Sequence, residues 1–437
     1  MNERPGPRQE PQIGDPRPRS HPPASRRRLR PLQEFLETSI ASGLVLVMAV
    51  VVALVWVNSP WSGSYSSFFA TPISVGAGEH AVVGDVHFWI NEGLMTFFFL
   101  VVGLEIKREL TIGELHRPRA AFLPLIAAAT GMAVPALLYL AIVGGGEGAR
   151  GWGIPMATDV AFALGVLALA AARAPSGLRP LLLAIAIVDD IGSVIVVAAF
   201  SPEVIAIGWL PVCVGVTGLV FVLPRMRIQV ALISVIVGIA LWYAMYRAGL
   251  HPALAGVVIG LLTPSAPASP DSDPPITRVE HVLLPVSSFV VLPLFALANM
   301  GVELSASSIA LAAGSSVAWA ILVARVGGKL FGIWGGAMLA SRLRLADLPD
   351  GVRSGHLAGI AVAAGTGFTV SLFVAEVAFG RASPLLPPVK ISLLAASLVS
   401  ATVGFLLLRL AGAGSSPTAS PPTAPRPSAP DAAAKGT

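Results

Sequence analysis

Apolar residues fall in long runs separated by short polar connections, at roughly 39–57, 88–106, 121–143, 154–172, 181–200, 204–223, 228–246, 250–263, 281–300, 315–340, 354–379 and 389–410. A helix lying half-buried in a soluble core would show polar residues every third or fourth position, whereas these runs are apolar all round. Most also have the roughly 20 residues that a helix needs to cross a bilayer. The pattern therefore predicts twelve transmembrane helices, the eighth of them short. The distribution of Lys and Arg tests the count, because basic residues concentrate in cytoplasmic connections. With the N-terminus placed inside, only Arg150, Arg247, Arg381 and Lys390 fall on the outer side, and Arg325 and Lys329 lie within span ten. Twelve spans with both termini cytoplasmic satisfy that bias.

Two connections stand out. The outside segment from Asn58 to His87 has no Lys or Arg, and its second half alternates weakly between turn residues: Pro72-Ile73-Ser74-Val75, then Ala81-Val82-Val83-Gly84-Asp85-Val86. That alternation predicts an extramembrane β-hairpin. The segment from Pro264 to Pro275 is a Pro/Ser/Asp linker that divides the chain loosely without separating domains.

Composition supports this picture. The chain has 437 residues, 54% hydrophobic and 12% charged, with a mean hydropathy of +0.77, which places it among polytopic membrane proteins rather than soluble ones. The net charge of +5 reflects loop topology, and no nucleic-acid partner is expected. A single cysteine, Cys213, excludes an intramolecular disulfide. Ser25-Arg26-Arg27-Arg28-Leu29 has a faint twin-arginine character, but Glu34 and Glu37 occupy what would be its apolar region. Residues 1–34 are thus expected to be a disordered cytoplasmic tail, 35–410 the membrane domain, and 411–437, rich in Ser, Pro and Ala, a second disordered cytoplasmic tail.

The chemistry centres on Leu181 to Phe200, LLLAIAIVDDIGSVIVVAAF, where Asp189 and Asp190 interrupt an apolar span. One carboxylate at mid-membrane costs several kcal/mol on most scales, and two cost more, so the pair marks a function rather than packing. Neighbouring positions on a helix lie about 100° apart, which lets both side chains face one cavity. Two carboxylates this close titrate as a unit, and their oxygens are also what a hard cation prefers. A site that takes either protons or a hard cation is the minimal part of an exchanger. No nucleophile–base pair or metal cluster suggests an enzyme, and no cofactor is implied.

Span four contains Pro155 and Thr158-Asp159, a helix-start signal placed inside an apolar run. Asp159 is suited to cap the orphan N–H groups of a helix that starts late; an ordinary interfacial cap is the alternative. Span eleven contains Gly365-Thr366-Gly367-Phe368-Thr369, either a second interruption or a small-residue packing seam. The two spans are the middle members of two three-helix units, which is the arrangement of an inverted-repeat transporter. Lys329, in RVGGKLFGIWGG, is a lone amine near mid-span that is expected to meet either Asp189 or the negative helix ends at the span-eleven break, with snorkelling toward the inside as the alternative.

These residues resemble the NhaA-type sodium/proton antiporters. The motifs that carry the resemblance are FFFLVVGLEIKREL, ATDVAFALGVLAL, AIAIVDDIGS, GLHPALAGVVIG, EHVLLP and GTGFTVSLFVAEVAFG, spanning about Leu36 to Leu410. The resemblance implies an all-α polytopic fold of twelve transmembrane helices, with two inverted-repeat broken helices crossing at mid-membrane. It also implies that Asp189 and Asp190 bind the transported ion. Thr158, Asp159, Lys329, Gly365 and Gly367 belong to the broken-helix assembly and its charge compensation. Glu105, Arg108, Glu109, His251 and Glu280 match positions associated with pH sensing. The chain departs from the pattern at Glu92, where an aspartate is expected, and at Arg325 and Glu376, which look like added intramembrane charges.

The expected activity is secondary transport that exchanges cytoplasmic Na⁺ or Li⁺ for external protons, electrogenic and pH-regulated, serving sodium and pH homeostasis. The expected location is the inner membrane of a prokaryote, as a homodimer joined through 58–87. A cation channel, or a related-fold sodium-coupled transporter of another substrate, is the alternative. Arg325 and Glu376, both placed in the outer half of neighbouring spans, are expected either to compensate each other or to reach the outer headgroups separately.

Overall fold

The computed structural model describes residues 24–116, 118–170, 174–199, 205–224, 231–267 and 274–413. Most of both expected tails lies outside these residues. The first helix, Ala24–Val57, nevertheless extends into the segment expected as the N-terminal tail.

Among the described residues, six helices are long and apolar enough to cross a membrane: Val86–Thr111, Ala121–Val143, Leu178–Ala199, Pro275–Asn299, Ser316–Arg342 and Leu386–Gly412. A bent pair, Ala41–Val57 and Ser62–Phe69, turns through 115° and offers a seventh. Shorter apolar helices, among them Val160–Ala170, Ser354–Ala363 and Thr369–Phe379, fall on the remaining runs, together with Leu254–Leu262. Run four is helical only from Val160, and run eleven is two helices separated at Ala364–Phe368. The expected hairpin is present: β1 (Pro72–Val75) pairs antiparallel with β2 (Val82–Asp85), in the register Pro72↔Asp85 to Val75↔Val82.

Asp85 ends the hairpin and starts the next helix. Its carboxylate accepts the Phe88 N–H at 2.7 Å and a two-pronged contact from Arg381 at 3.1 and 3.0 Å. Burial opposes its ionisation, but the hydrogen bonds from Arg381 and Phe88 hold the carboxyl below its ordinary value.

Two features of the helix Ser316–Arg342 place the charges it carries. Gly328, Gly332 and Gly336 recur every fourth residue and lie against Pro135, Thr130 and Gly131 of Pro118–Val143, where a Cβ would have no room. This small-residue seam brings the two backbones together, as is common between membrane helices. Wide i→i+5 turns at Ala324–Gly328 and Leu330–Trp334 flank Lys329. Such turns rotate side chains away from the regular 100° spacing and tend to occur at functional positions.

Candidate functional site: a lysine–aspartate pair between two interrupted helices

The two interruptions touch. The backbone N–H of Asp159 donates to the Thr366 carbonyl at 2.9 Å. Non-helical backbone at membrane depth needs such partners, since lipid offers none. The Asp159 carbonyl accepts from Ala163 at 3.0 Å, the first turn of Val160–Ala170. Its carboxylate accepts from Thr369 Oγ1 at 3.1 Å, at the start of Thr369–Phe379. Asp159 therefore joins the N-terminal ends of two helices, where negative charge meets the positive ends of their dipoles.

Above this joint lie Asp189 and Lys329, both fully buried. Lys329 Nζ donates to Asp189 Oδ2 at 2.5 Å and to Thr158 Oγ1 at 3.0 Å. The Thr158 hydroxyl is 2.6 Å from the same carboxylate oxygen and 2.9 Å from the Ala364 carbonyl, so its single proton has two acceptors. The other carboxylate oxygen, Asp189 Oδ1, is buried without a hydrogen-bond partner. Asp190, on the next position of the helix, turns to a cavity of about 100 Å³ that it shares with Glu105, Thr158, Asp159 and Thr369. The expected alternatives for Lys329 resolve in favour of Asp189.

A family model described as Na+/H+ antiporter 1 matches residues 33–408. The chain belongs to the Na+/H+ antiporter 1 family. Its similarity to curated members extends over most of both chains. The Na(+)/H(+) antiporter NhaA of Anaeromyxobacter sp. (strain Fw109-5) is 40% identical over 430 residues, 90% of this chain and 94% of its own. NhaA 2 of Sorangium cellulosum (strain So ce56) is 40% identical over 430 residues, 88% and 92% of the two chains. NhaA of Acidovorax sp. (strain JS42) is 43% identical over 379 residues, 85% and 90%. With its apolar helices, membership of this antiporter family makes the chain a multi-pass membrane protein.

Within this antiporter-family chain, the glycines of the second interruption have a specific neighbour. A Cβ at Gly367 would overlap the Arg325 guanidinium, and one at Gly365 would meet the Arg325 carbonyl. The guanidinium fills that space. Its Nε donates to the Gly365 carbonyl at 3.1 Å, one terminal nitrogen to Ser371 Oγ at 2.7 Å and the other to the Ala157 carbonyl at 2.9 Å. Arg325, not Lys329, thus holds the carbonyls of both interruptions.

This corrects the expectation that Arg325 pairs with Glu376 or reaches the headgroups. Arg325 is fully buried, and Glu376 meets Asn91, His87 and Lys390 instead. Height along a straight helix allows their proximity; the wide turn at Ala324–Gly328 and the break before Thr369 turn the two side chains toward different neighbours.

The five positions associated with pH sensing separate in space. Arg108 forms ion pairs with Glu109 at 3.2 Å and Glu280 at 3.1 Å, and Glu105 lines the cavity one turn away. His251 is elsewhere: its Nδ1 lies 3.6 Å from Glu92 Oε1. Asn91 and Asn299, which sequence reading passed over, bond each other at 2.8 Å. Single polar residues in apolar runs gave the only signal for them.

Proposed function

We propose that the chain exchanges cytoplasmic Na⁺ or Li⁺ for external protons, with Asp189 and Asp190 as the alternating ligands of cation and proton. The observation that carries this reading is the buried Lys329–Asp189–Thr158 contact beside a cavity reaching Asp190. A cation arriving through that cavity competes with protons for the Asp190 oxygens. It also competes with Lys329 for Asp189, and the displaced amine is then free to release its proton. Binding and proton release are coupled because they need the same atoms. With one proton on Asp190 and one on Lys329 carried inward for one monovalent cation outward, each cycle moves net charge and responds to membrane potential.

The same reading takes the fold as twelve spans, with the broken helices crossing where Asp159 meets Thr366, both termini cytoplasmic and the hairpin outside in a prokaryotic inner membrane. In this reading the Arg108–Glu109–Glu280 cluster, one turn from the cavity-lining Glu105, senses cytoplasmic pH. The exposed strand β1 offers an edge through which two copies pair by strand addition.

Proton movement in sealed vesicles on addition of Na⁺, Li⁺ or K⁺ tests the reaction. Obligatory proton counterflow with Na⁺ or Li⁺ is expected. Cation flux without it would mean a channel, and dependence on a second solute would mean a coupled transporter of another substrate.

A further inference from the structure

The hairpin end of the bundle holds a second buried set of titratable groups. Glu376 is 8% exposed and His87 7%. Glu376 Oε2 accepts from Asn91 Nδ2 at 2.5 Å. Its Oε1 lies 3.7 Å from His87 Nε2 and 3.9 Å from Lys390 Nζ. His87 Nδ1 is buried without a hydrogen-bond partner. Asn299 fixes Asn91 from the opposite helix. Above this set, at the rim, is the half-exposed Arg381–Asp85 pair.

Along Thr369–Phe379, the positions Thr369, Phe373 and Glu376 share one face, spaced i, i+4 and i+7. Thr369 touches Asp159, so the helix runs from the ion site to Glu376, a rise of about 10 Å. Between them Phe373 packs against Phe99 and Phe295, with ring centroids 5.2 and 6.3 Å apart. That apolar layer separates the cavity from the Glu376 set in this conformation.

A buried carboxylate with an imidazole just beyond hydrogen-bond reach is an expensive way to pack a helix and a suitable way to pass a proton. We propose that Glu376 is the hairpin-side proton relay of the exchanger, taking protons from outside water through His87 and passing them to the aspartate pair when the aromatic layer opens; this rests on the exchange reading above. In each transfer the proton leaves His87 Nε2 for Glu376 Oε1, and His87 is reprotonated from the rim. Glu376 is the single carboxylate of this buried set and its Oε2 is already taken by Asn91, which leaves too few oxygens to coordinate a metal cation, so the ligand of this site is the proton rather than Na⁺. Among the described residues, charge and polarity reach Glu376 from each packed element. His87, Asn91 and Glu92 approach from Val86–Thr111, Asn299 from the helix ending at Asn299, and Lys390 from the last helix. Tyr65 approaches from Ser62–Phe69, and Arg381 follows Glu376 in the chain.

The test uses the full chain in right-side-out and everted vesicles, with sodium-driven proton movement recorded as bath pH is varied. In right-side-out vesicles Glu376→Gln should make exchange fall off at a more acidic bath pH, slowing it about tenfold or more at alkaline bath pH. Glu376→Asp should restore most of it. The response in everted vesicles and Na⁺ binding to the detergent-solubilised variant should stay as in the unmodified chain. An unchanged bath-pH profile in Glu376→Gln, or loss of Na⁺ binding, would overturn the relay. Should Glu376→Gln fail to accumulate, His87→Gln is expected to shift the same profile toward acid, and an unaltered profile there would count against the relay equally. An unmodified chain without sodium-driven proton movement would instead sink the exchange reading, and the relay with it.

Discussion

Arg325 and Lys329 sit one helical turn apart on the same span, both fully buried, yet their surroundings differ in kind. The guanidinium meets two carbonyls and a hydroxyl, and among the described residues no carboxylate lies within ion-pair distance. The amine meets a carboxylate and a hydroxyl. Neutral acceptors fix a charge without competing for its proton, and a guanidinium holds its proton far more tightly than an amine. A carboxylate contact can be broken by any cation that takes its oxygens. The first environment suits a permanent support, the second an exchangeable partner. In the exchange proposed above, permanence and exchange are divided between neighbouring residues, so the support need not loosen each time the partner is released.

The division predicts different consequences for each side. The largest effect should follow removal of the carboxylate that makes Lys329 exchangeable. Asp189→Asn, and likewise Asp190→Asn, should lower sodium-driven proton movement by about a hundredfold or more while leaving a folded protein. Near-normal exchange in either variant would remove that residue from the site. Next in size, Arg325→Ala should destabilise the fold by about 3 kcal/mol, because two carbonyls at membrane depth lose their donor. Arg325→Lys should recover only part of this, and thermal melting in detergent would show both. A melting temperature equal to that of the unmodified chain would mean that the guanidinium supports nothing.

Lys329→Ala should cost less stability, about 2 kcal/mol, but should change the pH profile of exchange, which Arg325→Ala should leave in place. Lys329→Arg should be tolerated better than Ala. If both alanine variants shift the profile alike, the two cations share one role and the comparison fails. Thr158→Val removes one hydrogen bond from the lysine side and should cost about 1 kcal/mol, read as weaker Na⁺ binding in calorimetry.

The smallest effect belongs to Asp85 and Arg381 at the rim. The folded Asp85 carboxyl is held below its ordinary value of 3.8. Its pairing therefore stabilises the protein above that pH and is lost as pH falls through the lower folded value. At this exposure Arg381→Ala should cost under about 1 kcal/mol at neutral pH, and the difference from the unmodified chain should vanish in acid.

The sequence is legible where local pattern decides structure. Alternation around Ile73 and Val83 predicts the hairpin, and the adjacent Asp189 and Asp190 announce the site. Pro155 with Thr158-Asp159, and the glycines at 365 and 367, mark both interruptions, because helix-start and helix-breaking residues act within a few positions of themselves. Partner choice across helices is a different matter, since rotation about a helix axis leaves no trace in composition. Lys329 kept two candidate partners for that reason. Height along the helices leaves Arg325 either beside Glu376 or reaching the headgroups, whereas the wide turn beside it carries its side chain to Gly365 and Ala157. The resemblance groups His251 with the Arg108 cluster, but it lies beside Glu92.

The hydrogen bond from the Asp159 N–H to the Thr366 carbonyl has a genetic consequence. Both of its atoms belong to the main chain, so every residue except proline at position 159 supplies the donor, and every residue at 366 supplies the acceptor. A scan of side-chain variants would pass over this joint and score positions 159 and 366 only for what their side chains do. Its strength becomes measurable by semisynthesis, with an ester oxygen in place of the peptide nitrogen at residue 159. Substitutions at 159 and 366 themselves, proline at 159 apart, leave both atoms of the contact in place.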